Sequence, residues 1–396
     1  MSIAYSIRQS MEKGSWIRQM FEAGARLKAE HGVENVFDFS LGNPILEPPK
    51  DVHANLRKLL ENPEPGMHRY MPNGGFSDAR SAIADRLSQD TGLAFSAEHV
   101  LFTSGAGGAI NVALRSLLDP GDEVIIFAPY FAEYIFYIQH HGGKARVAHC
   151  GKSFLPDRES LSSCLTARTK AVLLNSPNNP TGVVYPTETI AEICKEIQLA
   201  EERHGTKIYL ISDEAYRRLT FDSMVPPHVF RHHVRSIVAA SHSKDLGLAG
   251  ERIGYLAMNP LWDEANEFTD AAIFALRTLG FVNAPAIMQR LVAKIQGASV
   301  DVSEYESKRD FLYRELTGMG YECVKPTGAF YMFPKSPIQD DLKFMSILQS
   351  MLVLTTPGVG FGTPGHFRIA FSVEDDVLDR SLVAFQAGLE QALSAG

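Results

Sequence analysis

Cysteine is scarce in this chain. Cys150, Cys164, Cys194 and Cys323 are widely spaced, with no C-x-x-C and no His/Cys cluster. That pattern signals neither a disulfide framework nor a metal site, and it fits a reducing compartment. Apolar runs approaching the ~20 residues of a membrane span are absent too. Positive charge is not in excess: the formal net charge of −8 argues against a broad nucleic-acid surface. The one short basic run, Arg231 to Arg235, is expected to be a solvated loop. There is no internal repeat, no low-complexity tract, no G-x-G-x-x-G and no P-loop lysine, which weakens a nucleotide reading. Residues 1–27 carry arginines and serines without a continuous apolar stretch, and Glu12 and Glu22 run against a transit peptide. The expectation is an amphipathic segment of a cytoplasmic protein with no membrane partner and no nucleic-acid partner.

What is present is a chain of 396 residues, enough for two domains and a large core. Short apolar runs alternate with helical patterns between residues 100 and 258. The strand candidates are 100–103, 123–127, 145–148, 171–174, 208–212, 237–240 and 254–258. Most are apolar on both faces, which predicts buried, mostly parallel strands covered by helices. Beyond about residue 260 longer helical patterns dominate, such as 301–318, and short strands return at 329–333 and 367–371. The predicted fold is α/β: a large domain with a mostly parallel seven-stranded sheet flanked by helices, plus a smaller α+β domain built from both chain ends. The expected divisions are 1–45 (packing with the small domain), 46–290 (large) and 291–396 (small).

The chemically suggestive residues follow these strands. Thr103 leads into Ser104-Gly105-Ala106-Gly107-Gly108, a turn of small residues that lets backbone N–H groups approach an anion at a helix N-terminus. A second strand leads into Pro129-Tyr130-Phe131, where either ring could stack on a flat ligand. A third leads into Asn175-Ser176-Pro177-Asn178-Asn179-Pro180-Thr181-Gly182, whose prolines and glycine make a rigid loop around Asn179. A fourth ends in Asp213-Glu214-Ala215-Tyr216; a carboxylate there needs a cationic partner unless it is only a helix N-cap. A fifth, 236–240, runs into Ser241-His242-Ser243-Lys244, followed by a glycine-rich turn and Arg252. A lone lysine is usually a solvated cation, but this one lies between hydroxyl residues just after an apolar strand. It could form an imine with an aldehyde while the serines and Arg252 hold a phosphate. Arg368, inside the apolar run 367–371, needs an anion, either a ligand or a structural ion-pair partner. In an open α/β sheet ligands bind beyond the carboxyl ends of strands, so these motifs point to one shared site.

In order and type, this set resembles the class I/II aminotransferases, the fold-type I enzymes that use pyridoxal 5′-phosphate. The resemblance spans about residues 37–372. It implies Lys244 as the catalytic residue carrying the cofactor as a Schiff base. It implies cofactor contacts from Ala106, Gly107, Phe131, Asn179, Asp213, Tyr216, Ser241, Ser243 and Arg252. Gly42, Asn179 and Arg368 are implied to bind substrate, with Arg368 gripping the α-carboxylate. Tyr70, in Met67-His68-Arg69-Tyr70-Met71-Pro72-Asn73-Gly74-Gly75, resembles the tyrosine that reaches the phosphate of a neighbouring subunit, which implies a homodimer with shared active sites. The implied reaction moves an α-amino group between an L-amino acid and a 2-oxo acid in two half-reactions.

Substrate choice rests on Arg277. It lies near the place where aspartate-specific members use an arginine for the side-chain carboxylate, with spacing one residue off. Aromatic or neutral amino acids are the alternative to aspartate and glutamate. The scaffold also serves lyases and decarboxylases, because the cofactor can activate any bond at Cα. A non-catalytic pyridoxal phosphate-binding regulator is a third reading, although the matched region leaves no room for a DNA-binding domain.

Overall fold

The computed structural model describes residues 3–13 and 15–394; side chains at residues 6 and 12–22, including Glu12 and Glu22, lie outside the described residues. The described chain forms twelve strands, β1 (Phe37–Asp38), β2 (Val100–Thr103), β3 (Glu123–Ala128), β4 (Lys144–His149), β5 (Thr169–Asn175), β6 (Tyr209–Asp213), β7 (Ser236–Ser241), β8 (Gly254–Met258), β9 (Tyr331–Met332), β10 (Val353–Leu354), β11 (Thr356–Pro357) and β12 (Phe367–Ala370).

Seven of them make one sheet in the order β2-β8-β7-β6-β5-β3-β4. β8 runs antiparallel to both of its neighbours, and the other pairs are parallel. The two-sided apolarity of the strands has a direct cause. Val172, Leu174, Leu210, Val238 and Ala257 face one core, and Ala171, Leu173, Ile211, Ile237 and Leu256 face another on the opposite side. Burying both faces leaves no polar row along these inner strands, as parallel sheets require.

A third core is drawn mainly from residues 300–392 and takes in Phe39 from near the N-terminus and Tyr216, Leu219 and Phe221 from beyond β6. There β1 pairs in parallel with β10, while β9, β12 and β11 form a three-stranded antiparallel sheet. The helix expected at 301–318 spans Val302–Met319, with the Asp301 side chain accepting from the Ser303 N–H as its cap. The strand expected at 329–333 shortens to β9, because Ala329 turns to positive φ (55°).

The basic run at 231–235 departs from a solvated loop. His233 is buried with Nε2 2.9 Å from the Ile208 carbonyl, Arg231 donates to the Thr91 carbonyl, and Arg235 pairs with Glu201. Composition signals charge; it does not show that those charges have protein partners. Among the described residues the four cysteines are free, and no helix is long and apolar enough to cross a membrane.

Candidate active site

Register places the site. Asn175, Asp213 and Ala239 stand side by side at the ends of β5, β6 and β7, and Thr103, Gly254 and Ser241 do so across β2, β8 and β7. Beyond these ends opens a cleft of about 380 Å³, within the ~300–1,000 Å³ usual for small-molecule sites. Its lining unites Gly42, Ala106, Gly107, Phe131, Asn179, Asp213, Tyr216, Ser241, Ser243, Lys244, Arg252 and Arg368.

The first wall is built by close backbone approach. Gly105 begins the helix Gly105–Leu117 at φ +71°, and a Cβ on it would lie 3.0 Å from Arg252 Nη2. Gly254 sits beneath: a Cβ there would come within 2.3 Å of the Ala240 carbonyl oxygen and 2.9 Å of Gly105 Cα. These two glycines let the helix N-terminus, Arg252 and the serines crowd one spot. Ser241 and Ser243 hydroxyls are 2.6 Å apart beside it. Hydroxyls, N–H groups and a guanidinium around a helix start form an anion site.

Lys244 is half-buried and donates to the Gly42 carbonyl at 3.0 Å. Burial, then the charges of Arg252 and Arg368, push its amine down to about 8. Asp213 is buried at the end of β6. Burial pushes its carboxyl up to about 6, against hydrogen bonds from the Tyr134 hydroxyl (2.5 Å) and the Ala215 N–H (3.2 Å). Tyr216 and Tyr331 hydroxyls meet at 2.8 Å, and burial raises both well above or above the phenol range.

Arg368, in the central strand of the small sheet, has its guanidinium between the rings of Tyr331 (4.8 Å) and Phe361 (4.9 Å). It donates to Asn179 Oδ1 (3.0 Å) and the Ser40 carbonyl (2.6 Å), and its Nε is buried without a partner. Among the described residues no carboxylate pairs with it, so the structural ion-pair alternative is not what is found. Asn179 is itself held where its N–H donates to Asn175 Oδ1 at 2.7 Å, in a loop closed by Gly182 at φ +70°. Gly42 has no room for a side chain: a Cβ would lie 1.9 Å from the Tyr331 hydroxyl.

These features fit pyridoxal phosphate. A small-residue cradle with Arg252 and two serines suits the phosphate, a buried carboxylate needs a cation such as a protonated ring nitrogen, and an amine of lowered pKa lines the same cleft. The comparison with known families decides between the readings: the model for aminotransferase class I and II matches residues 34–385.

The chain belongs to the class I and II aminotransferases. It is 30% identical over 365 residues to the aspartate/prephenate aminotransferase of Thermus thermophilus, covering 89% of this chain and 90% of that protein. It is 32% identical to the aspartate aminotransferase of Thermotoga maritima, covering 92% and 95%. Among solved structures, an aminotransferase from Eubacterium rectale superposes with a TM-score of 0.95 at 35% identity, covering 99% of each chain. The Thermus thermophilus aspartate aminotransferase with maleate does so at 0.83 and 26% identity, covering 94% and 96%. This aminotransferase is therefore a pyridoxal phosphate-dependent enzyme that moves an amino group between an amino acid and a 2-oxo acid. The lyase and decarboxylase alternatives are not favoured by these relatives.

Two expected site residues lie outside the cleft of the single chain. Tyr70 is 89% exposed, and Arg277 is exposed with its guanidinium 5.5 Å from the Phe274 ring. Among the site residues that the sequence did not single out are Tyr134, the hydrogen-bond partner of Asp213, and Glu133, Tyr137 and Tyr331 in the lining. The first three follow Phe131 closely, so the run Glu133-Tyr134-Ile135-Phe136-Tyr137 was a usable signal once its helix was placed at a strand end. Among the described residues no group of three or more His, Cys, Asp or Glu is arranged to hold a metal ion.

Proposed function

We propose the following roles in the cleft. Lys244 carries the cofactor covalently. Ser241, Ser243, Arg252 and the N–H groups at Ala106 and Gly107 hold its phosphate. Asp213 pairs with the ring nitrogen, Phe131 covers a ring face, and Asn179 and Tyr216 hydrogen-bond the ring hydroxyl. Arg368, with Asn179 and Gly42, binds the substrate α-carboxylate. The observation that carries this reading is the convergence of Lys244, Asp213, Arg252 and Arg368 on one cleft from separate parts of the chain. The divisions 1–45, 46–290 and 291–396 belong to the same reading, supported by a core drawn mainly from residues 300–392, which also takes in Phe39, Tyr216, Leu219 and Phe221.

The bound cofactor supplies an aldehyde that takes up amines and a ring that withdraws electrons from the substrate Cα. The side chains do the rest. Arg368 fixes the carboxylate with a planar, two-pronged donor face stacked between Tyr331 and Phe361, which limits rotation about Cα. Lys244, with its amine pushed down to about 8, gives up its proton far more readily than an ordinary lysine, which suits it to move the proton at Cα. Asp213, oriented by Tyr134, keeps its charge opposite the ring nitrogen and so favours electron withdrawal.

Aspartate and glutamate serve as one substrate pair in this proposal, as the names of the Thermus and Thermotoga relatives suggest. Among Lys and Arg side chains, Lys244, Arg252 and Arg368 line the cleft, and each already has a role. A second substrate carboxylate thus requires a cation from elsewhere, and Arg277 of a second copy supplies it, with Tyr70 reaching that copy's phosphate. Exposed Tyr70, Phe274, Leu279 and Phe281 support a homodimer, because such apolar side chains gain from mutual burial. Four free cysteines accord with a cytoplasmic enzyme.

The test is a panel of amino acids against the pure enzyme, following the cofactor absorbance and identifying the 2-oxo acids by mass. Aspartate and glutamate should convert the cofactor, and Arg277→Ala should lower their kcat/KM on the order of 10²-fold while sparing neutral substrates. Intact aspartate turnover in Arg277→Ala, or a monomer by sedimentation, defeats the shared-site reading.

A further inference from the structure

Among the described residues, two carboxylates line the cleft, and Glu133 is the one that the proposed reaction leaves unused. It opens the short helix Glu133–His140, two residues after Phe131, and lines the cleft with Gly42, Tyr331 and Arg368. Its Oε2 is sealed from solvent without a hydrogen-bond partner. Burial raises its carboxyl pKa, while its own backbone N–H and then the charge of Arg368 act to lower it, so Oε2 is the oxygen left without a donor. A buried acceptor left without a donor is costly, so native structures seldom keep one without a use.

The neighbours are already committed. The Tyr331 hydroxyl pairs with that of Tyr216, and the Arg368 Nη atoms are engaged by Asn179, Ser40 and Thr356. Within one chain, a substrate side chain entering this cleft therefore meets a carboxylate in want of a donor. An anionic side chain is repelled by such a wall, and an N–H group is drawn to it.

We propose that Glu133 is a specificity-determining residue that accepts a hydrogen bond from a substrate side chain ending in an N–H group, such as an amide, ammonium or guanidinium. The inference rests on the amine-transfer reading above and names the partner substrate of the exchange. The two half-reactions use one cleft in turn, so the two substrates are told apart by groups at different positions. Arg277 of a second copy meets the dicarboxylate, and Glu133 meets the N–H-bearing side chain.

The test uses the holoenzyme with Glu133→Gln, which removes the charge at constant shape, and Glu133→Asp, which keeps it. One arm measures kcat/KM for lysine, arginine and glutamine against aspartate and glutamate. The other measures Kd by calorimetry for two non-reacting carboxylates of equal size, succinamate and succinate. The expected result is that Glu133→Gln shifts the kcat/KM ratio of ammonium-bearing over dicarboxylate substrates at least tenfold toward the dicarboxylates. Its succinate binding tightens relative to succinamate, and Glu133→Asp retains most of the original preference. Ratios that stay within twofold of the unaltered enzyme in both arms overturn the assignment. The two failures are separable. Absent turnover in the unaltered enzyme strikes the amine-transfer reading, whereas an unmoved calorimetric ratio strikes Glu133 alone.

Discussion

Lys244→Ala should lower amine transfer by on the order of 10⁴-fold or more, because one side chain is asked both to carry the cofactor and to move the proton at Cα. Among the described residues no other lysine lines the cleft to take over. The loss should be confined to chemistry. The anion cradle of Gly105, Ser241, Ser243 and Arg252 does not depend on the Lys244 side chain, whose hydrogen bond runs to the Gly42 carbonyl. The variant should therefore fold and keep cofactor that dialysis removes more readily than from the parent. Single-turnover kinetics with aspartate, alongside the rate of cofactor loss, check both halves. A Lys244→Ala enzyme turning over within tenfold of the parent contradicts the assignment of the proton transfer.

The second large effect is expected at Asp213, where function and stability should move in opposite directions. Asp213→Asn removes the charge proposed to hold the ring nitrogen protonated, and turnover should fall on the order of 10³-fold. The same substitution should stabilise the cofactor-free protein. Burial holds the Asp213 carboxyl at about 6 in the folded chain, against an ordinary 3.8. At ~1.4 kcal/mol per pH unit, ionising it in the native state costs about 3 kcal/mol. The sign follows from the raised value. The native state binds the proton more tightly than the unfolded chain, so the cost is fully present above pH 6 and vanishes below about pH 4. Urea denaturation of cofactor-free Asp213→Asn should thus show a gain of up to about 3 kcal/mol at pH 8 that fades as pH falls to 4. A loss of stability at pH 8 would mean that the bonds from Tyr134 and Ala215 outweigh the burial of the charge.

Much of this was legible in the chain itself, for identifiable reasons. Six strands of the large sheet were visible because both of their faces are buried, leaving unbroken runs such as Ala171-Val172-Leu173-Leu174; β4, at the sheet edge, is only partly buried. Asn179, Asp213 and Lys244 were visible because each lies at or just beyond the end of such a strand, where no packing argument explains a lysine, an aspartate or an asparagine. Contacts between distant segments were not visible. Tyr134 gives no sign that its hydroxyl meets an aspartate 79 residues away, and Gly42 gives none that the Tyr331 ring fills the space where its Cβ would stand. His233 looked solvated because its neighbours are charged, yet the Ile208 carbonyl buries it. Tyr70 and Arg277 are legible only through family resemblance, since in the single chain both are exposed and neither is in the cleft lining.

The central claim is that Lys244 holds the cofactor. Borohydride treatment of the holoenzyme makes a lysine–cofactor bond permanent, and proteolysis with mass mapping then locates it. The account predicts one pyridoxyl-phosphate adduct per chain, on the peptide containing Ser241-His242-Ser243-Lys244. An adduct on a different lysine, or none from enzyme saturated with cofactor, would contradict it.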